Sequence, residues 1–351
     1  MTTPRKIADM LPADVGLAEL HTHLGGSVAS DIMWSLAHEQ GIALPVKDYW
    51  EFDALVTVSD PRGVQSLDEL DAIYHWTELI QSSPLAVERS VHAAIGGAYR
   101  SQRITTLELR FNPMKRNRGG ERDLDHIILA AIRGLDLARL EYPQVRAGLI
   151  LMMDRTFDDR QNEIIVEKAI HWSSRGVVGV DIAGPRPGGR RYDYTQLVPM
   201  VETAREAGLG VTIHVGEEGA TGAAEIGEVV ESLRPERIGH GILAARDPEL
   251  MAMLREAEVT LEICPTSNLL TKALRDEDEV RETFQQFVAH DVAFTIATDG
   301  PEMMRTHLRD EFALLLRIGA LSADGLLQAN ERGHAASFVG GRTRPVALRA
   351  V

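Results

Sequence analysis

The chain has 351 residues, 44% of them hydrophobic and 25% charged, with a formal net charge of −15. That acidic balance disfavours nucleic acid and anionic membranes as partners, because both attract basic surfaces. A single cysteine, Cys264, rules out an intrachain disulfide and fits a reducing, cytoplasmic setting. Met1 to Pro12 lacks the apolar core of a signal peptide, and no window reaches about 18 uninterrupted apolar residues.

Strand-like and helix-like stretches alternate along the chain. Leu17 to His23 reads as a strand that breaks at Gly25 and Gly26, followed by a helix over 28–41. Residues 42–66 are mixed and rich in turn formers. Helical spacing returns at 67–82 and 86–102, and Ile104 to Asn112 forms the second strand. A basic, glycine-containing loop, Lys115 to Arg122, is either solvated or set against an anionic part of a ligand. A helix over 123–141 leads to Val145–Met153, whose nearly continuous apolar run suits a parallel sheet covered on both faces. After a helix at 158–174 comes the strand 177–184, then a Pro/Gly/Arg-rich loop from Pro185 to Tyr192. The remaining units are helix 194–207, strand 209–214, helix 222–233, strand 236–240, helix 247–256, strand 258–263, helix 277–290 and strand 291–298. Two helices, 308–319 and 322–337, end the chain.

Eight strands, most separated by a helix, imply right-handed crossovers and a (β/α)8 TIM barrel of the α/β class. An open doubly wound sheet is the alternative, but no G-x-G-x-x-G follows the first strand. Residues 67–102 are expected to lie as extra helices over the barrel mouth.

In such barrels the chemistry sits at the C-terminal ends of the strands. Four of these ends carry metal-ligand or acid–base residue types: His21 and His23, His214 with Glu217, His240, and Asp299. A His-x-His pair alone recurs by chance, although in a strand its two rings share one face. Coincidence at four strand ends of one rim is much rarer. Neutral imidazoles plus a carboxylate suit zinc, and iron or manganese less uniquely. His21, His23, His214 and Asp299 are therefore assigned as ligands, and an ion so held lowers the pKa of bound water towards ~7. His240, outside the ligand set, orients the attacking water. Glu217 carries a proton between water and a ring nitrogen of the substrate. Its neighbour Glu218 reads as a first-turn helix acid favoured by the macrodipole. The other eight histidines fall mostly in helices or connections and read as surface groups. Spacing alone leaves open whether the bond cleaved is an amidine-like C–N bond, an amide, an ester or a lactone.

With these residues identified, the chain resembles the adenosine deaminase family of metal-dependent amidohydrolases from about Leu17 to Val339. The resemblance rests on Glu19-Leu20-His21-Thr22-His23-Leu24, Leu107-Glu108-Leu109-Arg110-Phe111, Val180-Asp181-Ile182-Ala183-Gly184, His214-Val215-Gly216-Glu217, Arg237-Ile238-Gly239-His240-Gly241, Glu262 to Asn268, and Thr298-Asp299. The tail from Asn330 to Phe338 also resembles the family's last helix. The resemblance implies that residues 1–351 form a single hydrolase domain holding one Zn2+ ion, with Glu217 as proton donor to the ring. It also implies a backbone contact from Gly184 to a purine nitrogen. Binuclear relatives place a modified lysine at a strand end; strands three and four end in Met153-Asp154 and Ala183-Gly184, so one metal is expected.

Two positions depart from the family pattern. Gly25 stands where adenosine deaminases carry an acid that meets the ribose 5′-hydroxyl. Gly300 stands where they carry a second aspartate bonded to purine N7. The expected substrate is accordingly a purine-like nucleoside, nucleobase or related amino-heterocycle, read differently at Gly25 and Gly300. One explanation gives Gly25 the task of admitting a 5′-modified nucleoside such as aminodeoxyfutalosine. Hydrolysis of another C–N or C–O bond, and a non-catalytic barrel binding a nucleoside-like ligand, are the competing functions. A cytidine-deaminase type of zinc site needs paired cysteines and is excluded by the single Cys264.

Overall fold

The computed structural model describes residues 14–58, 64, 67–117, 123–185, 191–217 and 222–340. Its centre is one eight-stranded parallel sheet in the order β1 to β8: Leu17–His23, Ile104–Phe111, Arg146–Asp154, Val177–Ala183, Gly210–Val215, Arg237–His240, Thr260–Ile263 and Ala293–Ile296. Closure between the last strand and the first runs through an isolated bridge, Thr22 to Asp299. There Asp299 N donates to His21 O at 2.9 Å, and His23 N donates to Asp299 O at 2.7 Å. The result is the (β/α)8 barrel expected from strand–helix alternation.

Among the described residues, the surrounding helices are α1 Ser30–Glu39, α2 Tyr49–Val56, α3 Leu67–Ile80, α4 Pro84–Gln102, α5 Leu124–Glu141, α6 Asp159–His171, α7 Val198–Glu206, α8 Gly222–Ser232, α9 Pro248–Glu256, α10 Pro265–Leu270, α11 Glu277–Ala289, α12 Leu308–Arg317 and α13 Ala323–Ala336. The two helices of the 67–102 segment part company. From α3, Leu70, Tyr74 and Glu78 line the cavity at the barrel mouth. In contrast, α4 packs along α5 and β2 in the outer ring. Its start is set by Ser83, whose side chain caps Ala86 N, and by Pro84 in the first turn, where a missing N–H costs nothing.

Helix α2 falls in the stretch read as turns. Asp48 initiates it by accepting from Trp50 N and Glu51 N, and Phe52 and Val56 bury its inner face. Helix α10 is also additional to the sequence reading and starts at Pro265.

Side chains alternate along each strand, so Glu19, His21 and His23 share the inner face, as do Glu108 and Arg110. The barrel interior is consequently charged where many barrels are aliphatic. Its other end is plugged by Phe338, whose ring occupies the space that a side chain on Gly210 would need. The Arg237 guanidinium lies over that ring, 3.6 Å from its centroid.

Candidate active site

The strand ends bring all the proposed ligands to one rim. His23 Nε2 lies 3.1 Å from His214 Nε2 and 3.4 Å from Asp299 Oδ1. His21 Nε2 lies 4.0 Å from Asp299 Oδ1. His21, His23 and His214 form one group with ligand atoms within 4.8 Å of one another, and His21, His240 and Asp299 form a second. Tetrahedral Zn–N bonds of about 2.0–2.1 Å place nitrogens about 3.4 Å apart, which is the spacing scale of this cluster.

The outer nitrogens are committed elsewhere. His21 Nδ1 donates to Glu262 Oε2 at 2.8 Å, and His214 Nδ1 donates to Asp181 Oδ2 at 2.9 Å. Both rings thereby present an unprotonated Nε2 inward, the arrangement by which carboxylates fix metal-binding histidines. His21 Nε2 is buried with no hydrogen-bond partner. An orphaned lone pair in a buried cluster of ring nitrogens is costly. A cation at their common focus removes that cost, so the residues fit a metal ion. Burial, reinforced by Arg110 and the neighbouring histidines, holds His21 well below the usual imidazole range. Burial likewise lowers His23, His214 and His240. These rings are ready to coordinate at neutral pH.

Behind the histidines lies a buried charge network. Glu262 accepts from Arg110 Nη2 at 2.7 Å, Arg237 Nε at 2.5 Å and Thr212 Oγ1 at 3.0 Å. Burial alone would raise its carboxyl, but Arg110 and Arg237 overcome that and hold it at about 2. Arg110 also donates to Asp181 Oδ2 at 2.8 Å. Burial raises Asp181 to about 6 against the pull of Arg110. Gly239 is required beside them: a Cβ there would come within 2.8 Å of His21 Cε1 and 3.3 Å of His214 Cγ.

His240 and Asp299 both adopt left-handed backbone conformations, with φ of 63° and 66°. Such conformations are uncommon outside glycine, and here they turn each side chain into the mouth. Ser267 Oγ donates to Asp299 Oδ2 at 2.6 Å, leaving Oδ1 towards the histidines. The Asn268 amide lies 3.1 Å from His240 Nδ1, while His240 Nε2 is 3.6 Å from Glu217 Oε2. Glu217 follows Gly216, whose φ of 71° carries the chain out of β5 and into the cavity wall. Glu218 lies outside the described residues.

The rim opens into a cavity at the barrel mouth. His23, His214, Glu217, His240 and Asp299 line it, as do Gly25 and Gly184. Gly184, with φ of 90°, has its carbonyl held by Arg155 Nη1 at 2.6 Å. A Cβ at this position would meet Asp154 Oδ2 at 2.7 Å. Arg155, which the sequence reading did not single out, also donates to His214 O and so ties β3 to β5. From the basic loop, Lys115 Nζ reaches Asp154 Oδ2 at 2.7 Å on the cavity wall, and residues 118–122 lie outside the described residues.

Gly25 does not open a space. A Cβ on it would lie 3.0 Å from Tyr74 Cδ1 and 3.1 Å from Thr77 Oγ1, so α3 fills the ground that a side chain would take. Burial, with Asp299, Glu78 and Glu217 nearby, pushes the Tyr74 phenol well above its usual range. The other eight histidines stand apart from the cluster; His38 Nδ1 donates to Trp34 O, and His92 pairs with Glu141.

The sequence profile of the adenosine deaminase family matches residues 16–348. The chain belongs to the adenosine deaminase family. An adenosine deaminase of Vibrio vulnificus is 30% identical over 298 residues, which cover 85% of this chain and 86% of that protein. The fold is similar to that of an adenine deaminase from Arthrobacter aurescens, with a TM-score of 0.80 and 21% identity over 92% of this chain and 94% of the other. It is also similar to a Zn-bound amidohydrolase from Burkholderia ambifaria, with a TM-score of 0.82 and 21% identity over 97% and 89%. As a member of the adenosine deaminase family the chain is a hydrolase acting on C–N bonds. No helix among the described residues is long and apolar enough to cross a membrane.

Proposed function

We propose that this chain is a zinc-dependent aminohydrolase. It exchanges the exocyclic amino group of a purine-like nucleobase, nucleoside or related heterocycle for oxygen and releases ammonia, with residues 1–351 acting as one hydrolase unit. One observation carries the reading. Rings from β1 and β5 aim buried nitrogens at a common focus beside Asp299, with Glu217 and His240 alongside. Adenosine and adenine deaminases among the similar proteins support the substrate class.

His21, His23, His214 and Asp299 would hold a single ion. No lysine ends β3 or β4, which supports one metal rather than two. When bound, the ion supplies Lewis-acid activation of water. Glu262 and Asp181 keep the His21 and His214 lone pairs directed inward. His240 orients the attacking water and stabilises charge developing on it. Glu217, on the exit loop of β5, transfers a proton to the ring nitrogen beside the reacting carbon, so negative charge does not build up on the ring. The Gly184 backbone, at the end of β4 next to β5, contacts the heterocycle. Keeping His240 outside the ligand set is supported by its two faces, one on Asn268 and one towards Glu217.

The test is ammonia release by the zinc-loaded protein from a panel of adenine, adenosine, AMP, 5′-modified adenosines and aminopterins. Release from at least one member is expected. Hydrolysis of amide or lactone substrates without any ammonia release from the panel would overturn the reading.

A further inference from the structure

We propose that Tyr74 is a specificity-determining residue that takes over the two substrate-reading positions left as Gly25 and Gly300, its hydroxyl donating to a ring nitrogen of a flat amino-heterocycle. The inference rests on the aminohydrolase reading and names the edge of the substrate that this chain recognises. Three contacts carry it. The Tyr74 ring covers Gly25, leaving 3.0 Å to a Cβ there. Its hydroxyl oxygen lies 3.4 Å from where a Cβ on Gly300 would stand. Its ring centroid is 5.9 Å from that of His23, at an interplanar angle of 63°. One side chain from α3 therefore spans both glycines and borders the metal cluster.

Tyr74 and Glu217 meet the cluster at different rings. Glu217 stands beside His240, whereas Tyr74 stands beside His23. In an aminopurine the reacting carbon is flanked by a six-membered-ring nitrogen on one side and by the five-membered-ring nitrogen edge on the other. With Glu217 serving the first, Tyr74 meets the second. A phenol is protonated at neutral pH and donates one hydrogen bond, so it selects an unprotonated acceptor. A carboxylate in the same place would only accept. The glycines are what make this exchange possible. A side chain on Gly25 would press on the ring, and one on Gly300 would touch the hydroxyl and press on Gly26 Cα, which would lie 3.3 Å from its Cβ.

The experiment measures calorimetric binding of hypoxanthine and 7-deazahypoxanthine to the zinc-loaded full chain, alongside KM and kcat on whichever panel member is deaminated. The two probes differ at the five-membered-ring nitrogen alone. Wild type should prefer hypoxanthine by about tenfold, the scale of one hydrogen bond to a buried acceptor. Tyr74→Phe should erase that preference and raise KM by a similar factor while kcat stays within about threefold. Gly25→Ala should weaken hypoxanthine binding in the wild-type background and cost nothing further in Tyr74→Ala, because the clash is then gone. The proposal is overturned if Tyr74→Phe keeps the preference, or if the Gly25→Ala effect is the same with and without the tyrosine. Wild-type protein that binds neither probe and releases no ammonia overturns both this and the aminohydrolase reading; intact turnover with indifferent Tyr74 variants overturns this one alone.

Discussion

Replacing Glu262 by Gln removes one buried charge on which the site depends twice. Its carboxylate contacts two guanidiniums, at 2.7 Å for Arg110 and 2.5 Å for Arg237, and orients His21 Nδ1 at 2.8 Å. All four side chains are inaccessible to solvent. Breaking one buried ion pair costs about 3–5 kcal/mol, because the partner is left charged and desolvated. Arg110 keeps Asp181, and Arg237 keeps Glu108, so the two losses do not add. We expect Glu262→Gln to lower unfolding free energy by about 4 kcal/mol in urea denaturation of the metal-free protein. The metal effect is separate. Losing the carboxylate behind a histidine ligand lowers metal affinity about 10–100-fold, and here it also removes a negative charge from the ion's surroundings. Competition with a zinc-chelating dye measures it. A variant matching wild type in both stability and zinc affinity would refute the charge network as the support of His21.

Glu217→Gln should lower kcat by about 10²–10⁴-fold while zinc content and hypoxanthine binding stay within a few-fold of wild type, since only proton transfer is lost. Gly239→Ala drives a methyl group between His21 and His214; such overpacking costs about 1–3 kcal/mol, and the chelator assay should show zinc affinity falling at least about tenfold. Glu311 is buried and accepts from Thr306 Oγ1 and Thr266 N. Burial raises its carboxyl to about 7, well above the ordinary glutamate range. The folded state therefore binds the proton more tightly, and the stability this contributes is complete below about pH 4.5 and lost as pH rises towards 7. Glu311→Gln should match wild type near pH 4 and exceed it at pH 8 by at most about 3 kcal/mol, as denaturation midpoints at the two pH values will show.

Much of this architecture was legible in the chain because the ligands sit at strand ends, where the pattern is local. An apolar run entering His21-Thr22-His23 or Thr212-Ile213-His214 marks both the strand and the ligand, and alternation fixes the face. The rest depends on contacts between distant segments. The helices read at 67–82 and 86–102 are both expected over the mouth, yet α3 covers it while α4 joins the outer ring, a division set by packing on α5. Helix α2 carried a signal in Asp48 followed by Glu51, but the segment is short and its neighbours are turn formers. Glu262 and Arg110 stood in family motifs, and nothing in their spacing showed that they meet beneath His21. Tyr74 was invisible for the same reason: a half-turn on an amphipathic helix says nothing about Gly25, and only the fold brings them together.

The central claim is that four side chains from three separate parts of the chain grip one ion. Anomalous scattering at the zinc edge from crystals of the zinc-loaded protein tests it most directly. The account predicts a single peak within about 2.0–2.2 Å of His21 Nε2, His23 Nε2, His214 Nε2 and an Asp299 oxygen. A peak ligated without His214 or Asp299, two peaks at the rim, or none in zinc-saturated crystals would contradict it.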